Sequence, residues 1–341
     1  MTAIDLTYDV RPYRPSDREQ VLALLQQALA GGPTGERTEE FLRWKHELNP
    51  FGHSVALVAE EKGEVIGFRT FLRWRFRSGG RTIDAVRAVD TATHPDHQRR
   101  GIFTRLTLSG IEAIGRDAGF VFNTPNEKSL PGYLKMGWQR VGTVPIAIRP
   151  VRPLRFARGL RRAGRGGPSG PPPDSRLPSA SELLLEHGDA VQALLEDATP
   201  ESTRLTTDRS LDYLRWRYAQ APGLDYRIVA MWSDDGLEGL AIGRPRRRGP
   251  LAEFVLSEVL IRPGDASTAR RLLRAAARSG CDHVAVLVHG DRTLQRAGMA
   301  TGYVSVPRVG MTLTCRPLDS VNPGPVRPEF WNLSLGDLEV F

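Results

Sequence analysis

The densest chemistry in this chain lies in residues 94–104, HPDHQRRGIFT. A run rich in extended-chain residues (85–93, AVRAVDTAT) leads into it, and a helical pattern follows. Its core, Gln98-Arg99-Arg100-Gly101-Ile102, puts a glycine where a strand must turn sharply into a helix. Such a turn aims unpaired backbone N–H groups and the positive end of a helix dipole at one point. That point suits an anion, most naturally a phosphate or pyrophosphate. Gly101 lets a ligand reach the backbone with no side chain in the way, and Arg99 and Arg100 add positive charge. The nucleotide P-loop and the GxGxxG dinucleotide fingerprint are both missing here. A plain basic strand-to-helix turn would read the same in these five residues, so the surrounding elements must decide.

Those elements repeat. Residues 41–50, FLRWKHELNP, reappear as residues 213–222, YLRWRYAQAP. Trp44 and Trp216 are followed at the same spacing by Gly67 and Gly239, each inside a hairpin pattern. The hairpins, VALVAEEKGEVIGF and RIVAMWSDDGLEGLAI, alternate apolar and polar residues around Lys62-Gly63 and Asp235-Gly236, as paired antiparallel strands should. Two copies of one α/β domain are expected: residues 1–150, then 182–318. Between them, residues 151–181 include RRAGRGGPSGPPPDSRLP, whose Arg, Gly and Pro content predicts a flexible linker. The second copy is expected to open near Glu182 with a strand and a helix. The tail, 319–341, contains Phe330, Trp331, Leu333, Leu335 and Phe341. That much apolar surface predicts a docked segment, an added strand across the junction.

The whole chain is 341 residues with 40% hydrophobic and 25% charged residues, a globular composition long enough for two domains. Net charge is +8. The densest basic runs, 155–165 and 244–248, sit beside Gly and Pro and read as solvated linker and hairpin, not as a nucleic-acid surface. The excess suits a phosphate-rich cofactor equally well. Cys281 and Cys315, far apart in apolar surroundings, allow no disulfide framework and no zinc spacing. The opening residues lack the apolar core of a signal peptide, and no stretch approaches a membrane span. A soluble, cytoplasmic protein is expected, with no metal.

The first copy reads strand, helix, helix, then strands at 55–59, 64–76 and 81–93, the anion turn, a helix over 102–118 and a strand at 120–123. A short helix near 127–136 and a strand pair over 138–148 complete it. This order resembles the GNAT acyltransferases, α/β proteins with a central mixed sheet flanked by helices. Three segments carry the resemblance: Gln98-Arg99-Arg100-Gly101-Ile102 is similar to the family's pyrophosphate loop, VRPYRPSDREQVLALL to its opening strand and helix, and NTPNEKSLPGYLKMGW to its second motif. It covers roughly residues 8–148. The second copy's LSEVLIRPGDASTARRLL has no such loop, and Asp265 would face the phosphates. It resembles a degenerate copy that kept the scaffold and lost the cofactor.

The resemblance implies an N-acyltransferase that uses acetyl-CoA as co-substrate and a small or medium-sized amine as acceptor. Gln98, Arg99, Arg100, Gly101, Ile102 and Phe103 would hold the pyrophosphate. Thr91, Ala92 and Thr93 would lie along the pantetheine arm and offer a backbone N–H to the thioester carbonyl. Tyr133, in a family pattern Y-x-x-x-G-aromatic ending at Gly137-Trp138, is the implied general acid, because a phenol and a thiol titrate close together. Its alternative role is to pack the short helix on the sheet. Asn126 contacts pantetheine or caps the segment that follows it. The base is open. In place of a family glutamate, the strand before the loop has Arg87, Val89 and Thr91 on one face. Asp90 is the nearest carboxylate, and the tail offers Asp337, Glu339 and the terminal carboxylate of Phe341. His94 and His97 flank the loop in structural roles. Two other functions fit the same motifs: a non-enzymatic CoA-binding regulator, and a GNAT-like transferase drawing on charged tRNA.

Overall fold

The computed structural model describes residues 7–28, 37–163, 173–198 and 202–338. The first half runs β1 (Asp9–Pro12), α1 (Arg18–Ala28), α2 (Glu39–His46), β2 (Val55–Glu61), β3 (Glu64–Ser78), β4 (Arg81–Thr93), α3 (Ile102–Ile114), β5 (Phe120–Asn123), α4 (Leu130–Lys135) and β6 (Gln139–Pro150). The second runs α5 (Pro153–Ala163), α6 (Ala180–Glu186), α7 (Gly188–Ala198), β7 (Leu205–Thr207), α8 (Leu211–Leu214), β8 (Arg227–Ser233), β9 (Gly236–Arg248) and β10 (Leu251–Ile261). It continues through α9 (Ala266–Ala276), β11 (His283–Leu287), α10 (Arg292–Ala300) and β12 (Val304–Pro317), and ends in β13 (Trp331–Asn332) and α11 (Leu335–Leu338). The fold is mixed α/β, a large mixed sheet flanked by helices. Among the described residues no helix is long and apolar enough to cross a membrane.

Local chemistry sets these elements. The Thr38 hydroxyl accepts from Phe41 N at 3.1 Å and caps α2, whose first turn holds Glu39 and Glu40 against the helix dipole. Lys62 and Gly63 both take positive φ, 54° and 87°, as a two-residue hairpin turn requires. Gly67 lets α3 lie directly on β3: a Cβ there would stand 2.6 Å from Ile102 Cγ2.

One sheet path holds eleven strands in the order β1-β2-β3-β4-β5-β12-β6-β11-β10-β9-β8. Each half contributes an antiparallel meander and then a parallel pair, β4 with β5 and β10 with β11. The final strands then change places. β12 pairs with β5, and β6 pairs with β11. Two copies of one α/β domain joined by 151–181 were expected; the exchange of last strands, which that reading did not include, joins the two halves in one continuous sheet, because the partner of a last strand is a non-local choice that no local pattern encodes.

Other boundaries move too. The strand pair expected over 138–148 is the single strand β6. Part of the expected linker is α5, and residues 164–172 of it lie outside the described residues. The strand expected after Glu182 is instead helix, α6 and then α7. Docking of the tail takes the form of β13 pairing in parallel with β7, followed by α11. Trp331 is fully buried among Phe76, Phe120 and Phe122, with ring centroids 5.4 to 5.9 Å away. Leu333 and Leu335 are buried and Phe330 is half-buried; Phe341 lies outside the described residues.

The largest buried cluster joins the two halves. Trp44 and Trp216 stack with centroids 5.2 Å apart and planes at 22°. The Trp44 indole donates to the Trp216 carbonyl at 2.6 Å, and the Trp216 indole donates to the Trp44 carbonyl at 2.8 Å. Trp44→Phe or Trp216→Phe keeps a ring but orphans a buried carbonyl, so each should cost about 1–3 kcal/mol. Alanine at either position should cost about 3–5 kcal/mol. Urea unfolding with an unchanged slope measures both. Losses near zero would show that the seam does not depend on this pair.

Candidate active site

β4 leaves the sheet at Thr93, passes a short turn at Pro95–His97 and enters α3 through Gly101, whose φ is 76°. Arg99 also has positive φ, 64°. The first-turn N–H groups from Ile102 onward have no intrahelical acceptor, and among the described residues no side chain caps this end of α3. A Cβ at Gly101 would meet nothing within 4 Å, so space is open in front of those donors. Gln98 and Arg99 are exposed beside it. Arg100 is engaged elsewhere: it forks onto Glu61 at 3.0 and 2.7 Å and also contacts Thr7 and His97. Its guanidinium braces the loop against β2 at Glu61, away from the direct role expected of it. Ile102 is buried under Gly67 and offers only its N–H.

From this end a cleft runs into the sheet. β4 and β5 are paired only at Val86 with Val121 and Arg87 with Phe122. Beyond Arg87 the strands part, and the β5-facing edge at Thr91, Ala92 and Thr93 lies along the opening; on their other edge these three pair with β3. The β3–β4 register slips between Arg69 and Thr70, which leaves Asp90 as a bulge with φ 41°. A bulge re-aims the side chains on either side of it. Arg87 and Thr91, expected on one face, therefore reach opposite faces: Thr91 meets Arg69, and Arg87 meets the tail.

At the inner end stands Tyr133, buried and ringed by Phe103 and Trp138 at 5.4 and 5.1 Å. Arg69 on β3, fully buried, donates Nη1 to the Tyr133 hydroxyl at 2.8 Å and to Thr91 Oγ1. Because the phenol oxygen accepts from the guanidinium, its own proton remains available to another acceptor. Among the described residues the Arg69 Nε and Nη2 atoms are buried with no hydrogen-bond partner, a costly arrangement unless a ligand acceptor completes it. Sequence reasoning missed Arg69; its one signal was a cation inside the otherwise apolar run VIGFRTFLRW.

The other named residues take different places. Asn126 Oδ1 accepts from Lys128 N and Ser129 N at 3.0 and 2.9 Å, so it caps its own loop. Asp90 is enclosed by Lys45 at 2.6 Å, His46 at 3.0 Å and Arg37 at 3.7 Å. Burial alone would raise its carboxyl, but Lys45, His46 and Arg37 outweigh burial and hold it well below the usual carboxylate range. A carboxylate so stabilised is a poor proton acceptor, which corrects its candidacy as base. Burial pulls Lys45 down to about 8 even with Asp90 opposing. Asp337 is buried with both oxygens on Arg209, at 3.1 and 3.0 Å. Glu339 and Phe341 lie outside the described residues.

The second half repeats the geometry without the anion site. β10 and β11 also part, after Leu256 with Val286, and a bulge again follows, at Ser257. A cavity of about 120 Å³ opens there, lined by Leu256, Leu260, Val286, Leu294 and Ser334 among others. Yet α9 is capped by Asp265, which accepts from Thr268 N at 2.9 Å. A carboxylate thus fills the anion position. Glu258, beside the bulge, accepts from Arg209 at 2.8 Å and Tyr218 at 2.9 Å, much as Asp90 is held by Lys45 and His46.

Comparison with known proteins agrees with this geometry. Residues 9–141 match a family model described as an acetyltransferase (GNAT) domain. No curated protein sequence matches the chain. Among solved structures, a probable N-acyltransferase from Enterococcus faecalis V583 is similar at 13% identity, over 92% of this chain and 73% of that one, with a TM-score of 0.63. A GCN5-related N-acetyltransferase from Anabaena variabilis gives 13% identity over 94% and 75%, with a TM-score of 0.64. Eis1 from Mycobacterium abscessus gives 18% over 92% and 74%, with a TM-score of 0.54. At these identities the structures speak for the fold alone, and the family model places a GNAT acetyltransferase domain in residues 9–141 of this chain.

Proposed function

We propose that the chain transfers an acetyl group from acetyl-CoA to the amine of a small or medium-sized acceptor, by direct attack in a ternary complex. The observation that carries this reading is the β4–β5 cleft, with uncapped N–H donors of α3 at one end and the Tyr133 hydroxyl, held by buried Arg69, at the other. The N–H groups around Gly101 and Ile102, with Arg99 nearby, suit a pyrophosphate. The β4 edge at Thr91, Ala92 and Thr93 suits the amide-bearing pantetheine. As the amine nitrogen bonds to the acyl carbon, the C–S bond breaks and Tyr133 gives its proton to the sulfur. Arg69, at 2.8 Å, then faces the charge left on the phenol oxygen. The amine proton goes to a base in the chain's last residues, since Asp90 and Asp337 are both committed to cations. The two halves are read as duplicated copies, with the cofactor only in the first.

Thiol release from acetyl-CoA against an amine library tests the reading; no release with any amine would refute it. Calorimetry should find a single acetyl-CoA per chain, and Gly101→Glu should abolish binding by placing a carboxylate at the anion position. Two equivalent sites would contradict the assignment. Tyr133→Phe should lower kcat roughly 10²–10⁴-fold with little change in cofactor affinity; an unchanged rate with chemistry limiting would move the acid elsewhere. Asp90→Asn should act on stability instead. It leaves Lys45 and His46 buried beside a neutral group, at a cost of about 3–5 kcal/mol, while the acidic limb of the pH–rate profile stays in place. Loss of that limb would restore Asp90 as the base.

A further inference from the structure

The cavity of about 120 Å³ at β10 and β11 takes no part in the reaction proposed above. It holds the place in the second half that the β4–β5 cleft holds in the first. β10 and β11 pair as far as Leu256 with Val286 and then separate at the bulge. Leu195, Leu256, Leu260, Val286, Leu294 and Leu333 line it, each less than a tenth exposed. Protein interiors close on themselves, so a void among such side chains forfeits dispersion contacts that an occupant would restore. Its volume approaches the roughly 150 Å³ of an apolar cavity that takes up benzene.

The charged side chains on its wall are already engaged. Arg209 gives Nε to Glu258 at 2.8 Å, Nη1 to the Thr207 carbonyl at 3.2 Å and Nη2 to Asp337 at 3.0 Å. Glu258 also accepts from Tyr218 and Ser334, at 2.9 and 3.1 Å. Arg77 is tied to Asp208 at 2.5 Å, and Asp291 caps α10 by accepting from Leu294 N at 2.9 Å. A charged ligand would therefore leave water for a largely apolar space without a counter-charge of its own. Asp265, at the start of α9, turns away a phosphate. What stays open is main chain. Past Leu256 the β11-facing edge of β10 has no strand partner among the described residues, and the five consecutive residues 257–261 all line the cavity. Such an edge offers N–H and C=O groups to an amide or a carbonyl.

We propose that this cavity is a second ligand site, one that takes a compact uncharged molecule with an apolar body and an amide or carbonyl group. The apolar body fills the space between Leu256, Val286 and Leu294, and the polar group pairs with the free edge of β10. The second half thus keeps a parted-strand cleft like that of the first, without the anion end, as a pocket for a neutral ligand. Binding here does not depend on acetyl transfer in the first half.

Calorimetry on the full chain with hexanamide, hexanoate and hexylamine tests this, because the three probes share an apolar chain and differ in charge. Hexanamide should bind once per chain and raise Tm as its concentration passes Kd. The two charged probes should bind roughly tenfold more weakly or worse. Saturating CoA and the Gly101→Glu substitution should both leave hexanamide affinity unchanged. Ala198→Phe, which puts a ring at the half-buried wall of the cavity, should abolish binding. Leu294→Ala, which enlarges the space, should shift preference from hexanamide toward octanamide; it carries the test alone if Ala198→Phe does not fold. No binding by any probe, charged probes as tight as hexanamide, or hexanamide displaced by CoA would each overturn the site. So would unchanged binding in a folded Ala198→Phe chain. A chain that binds hexanamide as expected but turns over no amine would refute the proposed reaction and uphold this site.

Discussion

Two indoles face each other across the middle of this molecule, each donating its N–H to the main-chain carbonyl of the other. An indole buried without a partner would be costly, so each half satisfies a requirement that the other creates. The exchange of β6 and β12 works in the same direction: each half's parallel pair is completed by the other half's last strand. Neither half can be lifted out without exposing strand edges and unpaired polar groups. Around this seam Trp74, Trp331, Phe76, Phe120 and Phe122 form one cluster, and the tail is part of it.

On that shared frame a few residues make the halves chemically unlike. Both have a bulge in the third meander strand and a buried acid at it, Asp90 against Lys45 and His46, Glu258 against Arg209 and Tyr218. The recurrence of this device in a half without an anion loop marks it as part of the scaffold. Lys45 and His46 directly follow Trp44, and Arg217 and Tyr218 directly follow Trp216, so the indole pair and the acids are placed by the same turns. The difference lies at the next helix. α3 starts at an uncapped glycine, whereas α9 starts at an aspartate that satisfies its own donors. On the proposed reading, that one carboxylate is what keeps a phosphate-rich ligand out of the second cleft.

Much of this was legible in the sequence, and the parts that were not share a cause. The anion turn, the Tyr133 pattern and the Trp44–Trp216 repeat are local or periodic, and reading them needed no partner choice. Asp265 could be recognised because it stands where a helix start must be. The strand exchange was not legible, because β5 pairs as readily with either last strand on pattern alone. The faces of β4 were misread because one bulge residue, Asp90, inverts the alternation that a period of two assumes. Arg69 and Arg87 looked like ordinary strand arginines. Their roles come from what folding brings against them, the phenol of Tyr133 and the carbonyls of α11. The linker composition hid α5, since Arg, Leu and Ala inside it are good helix formers despite their Gly and Pro neighbours.

The central claim is that one helix start, in residues 9–141, is the cofactor's phosphate site and its counterpart in the second half is not. A crystal structure of the chain grown with CoA addresses this directly. The account predicts one CoA per chain, its pyrophosphate within hydrogen-bond distance of the backbone N–H groups at Gly101 and Ile102, its thiol near the Tyr133 hydroxyl, and nothing at the start of α9. A pyrophosphate bound beside Asp265, or a thiol directed away from Tyr133, would contradict it.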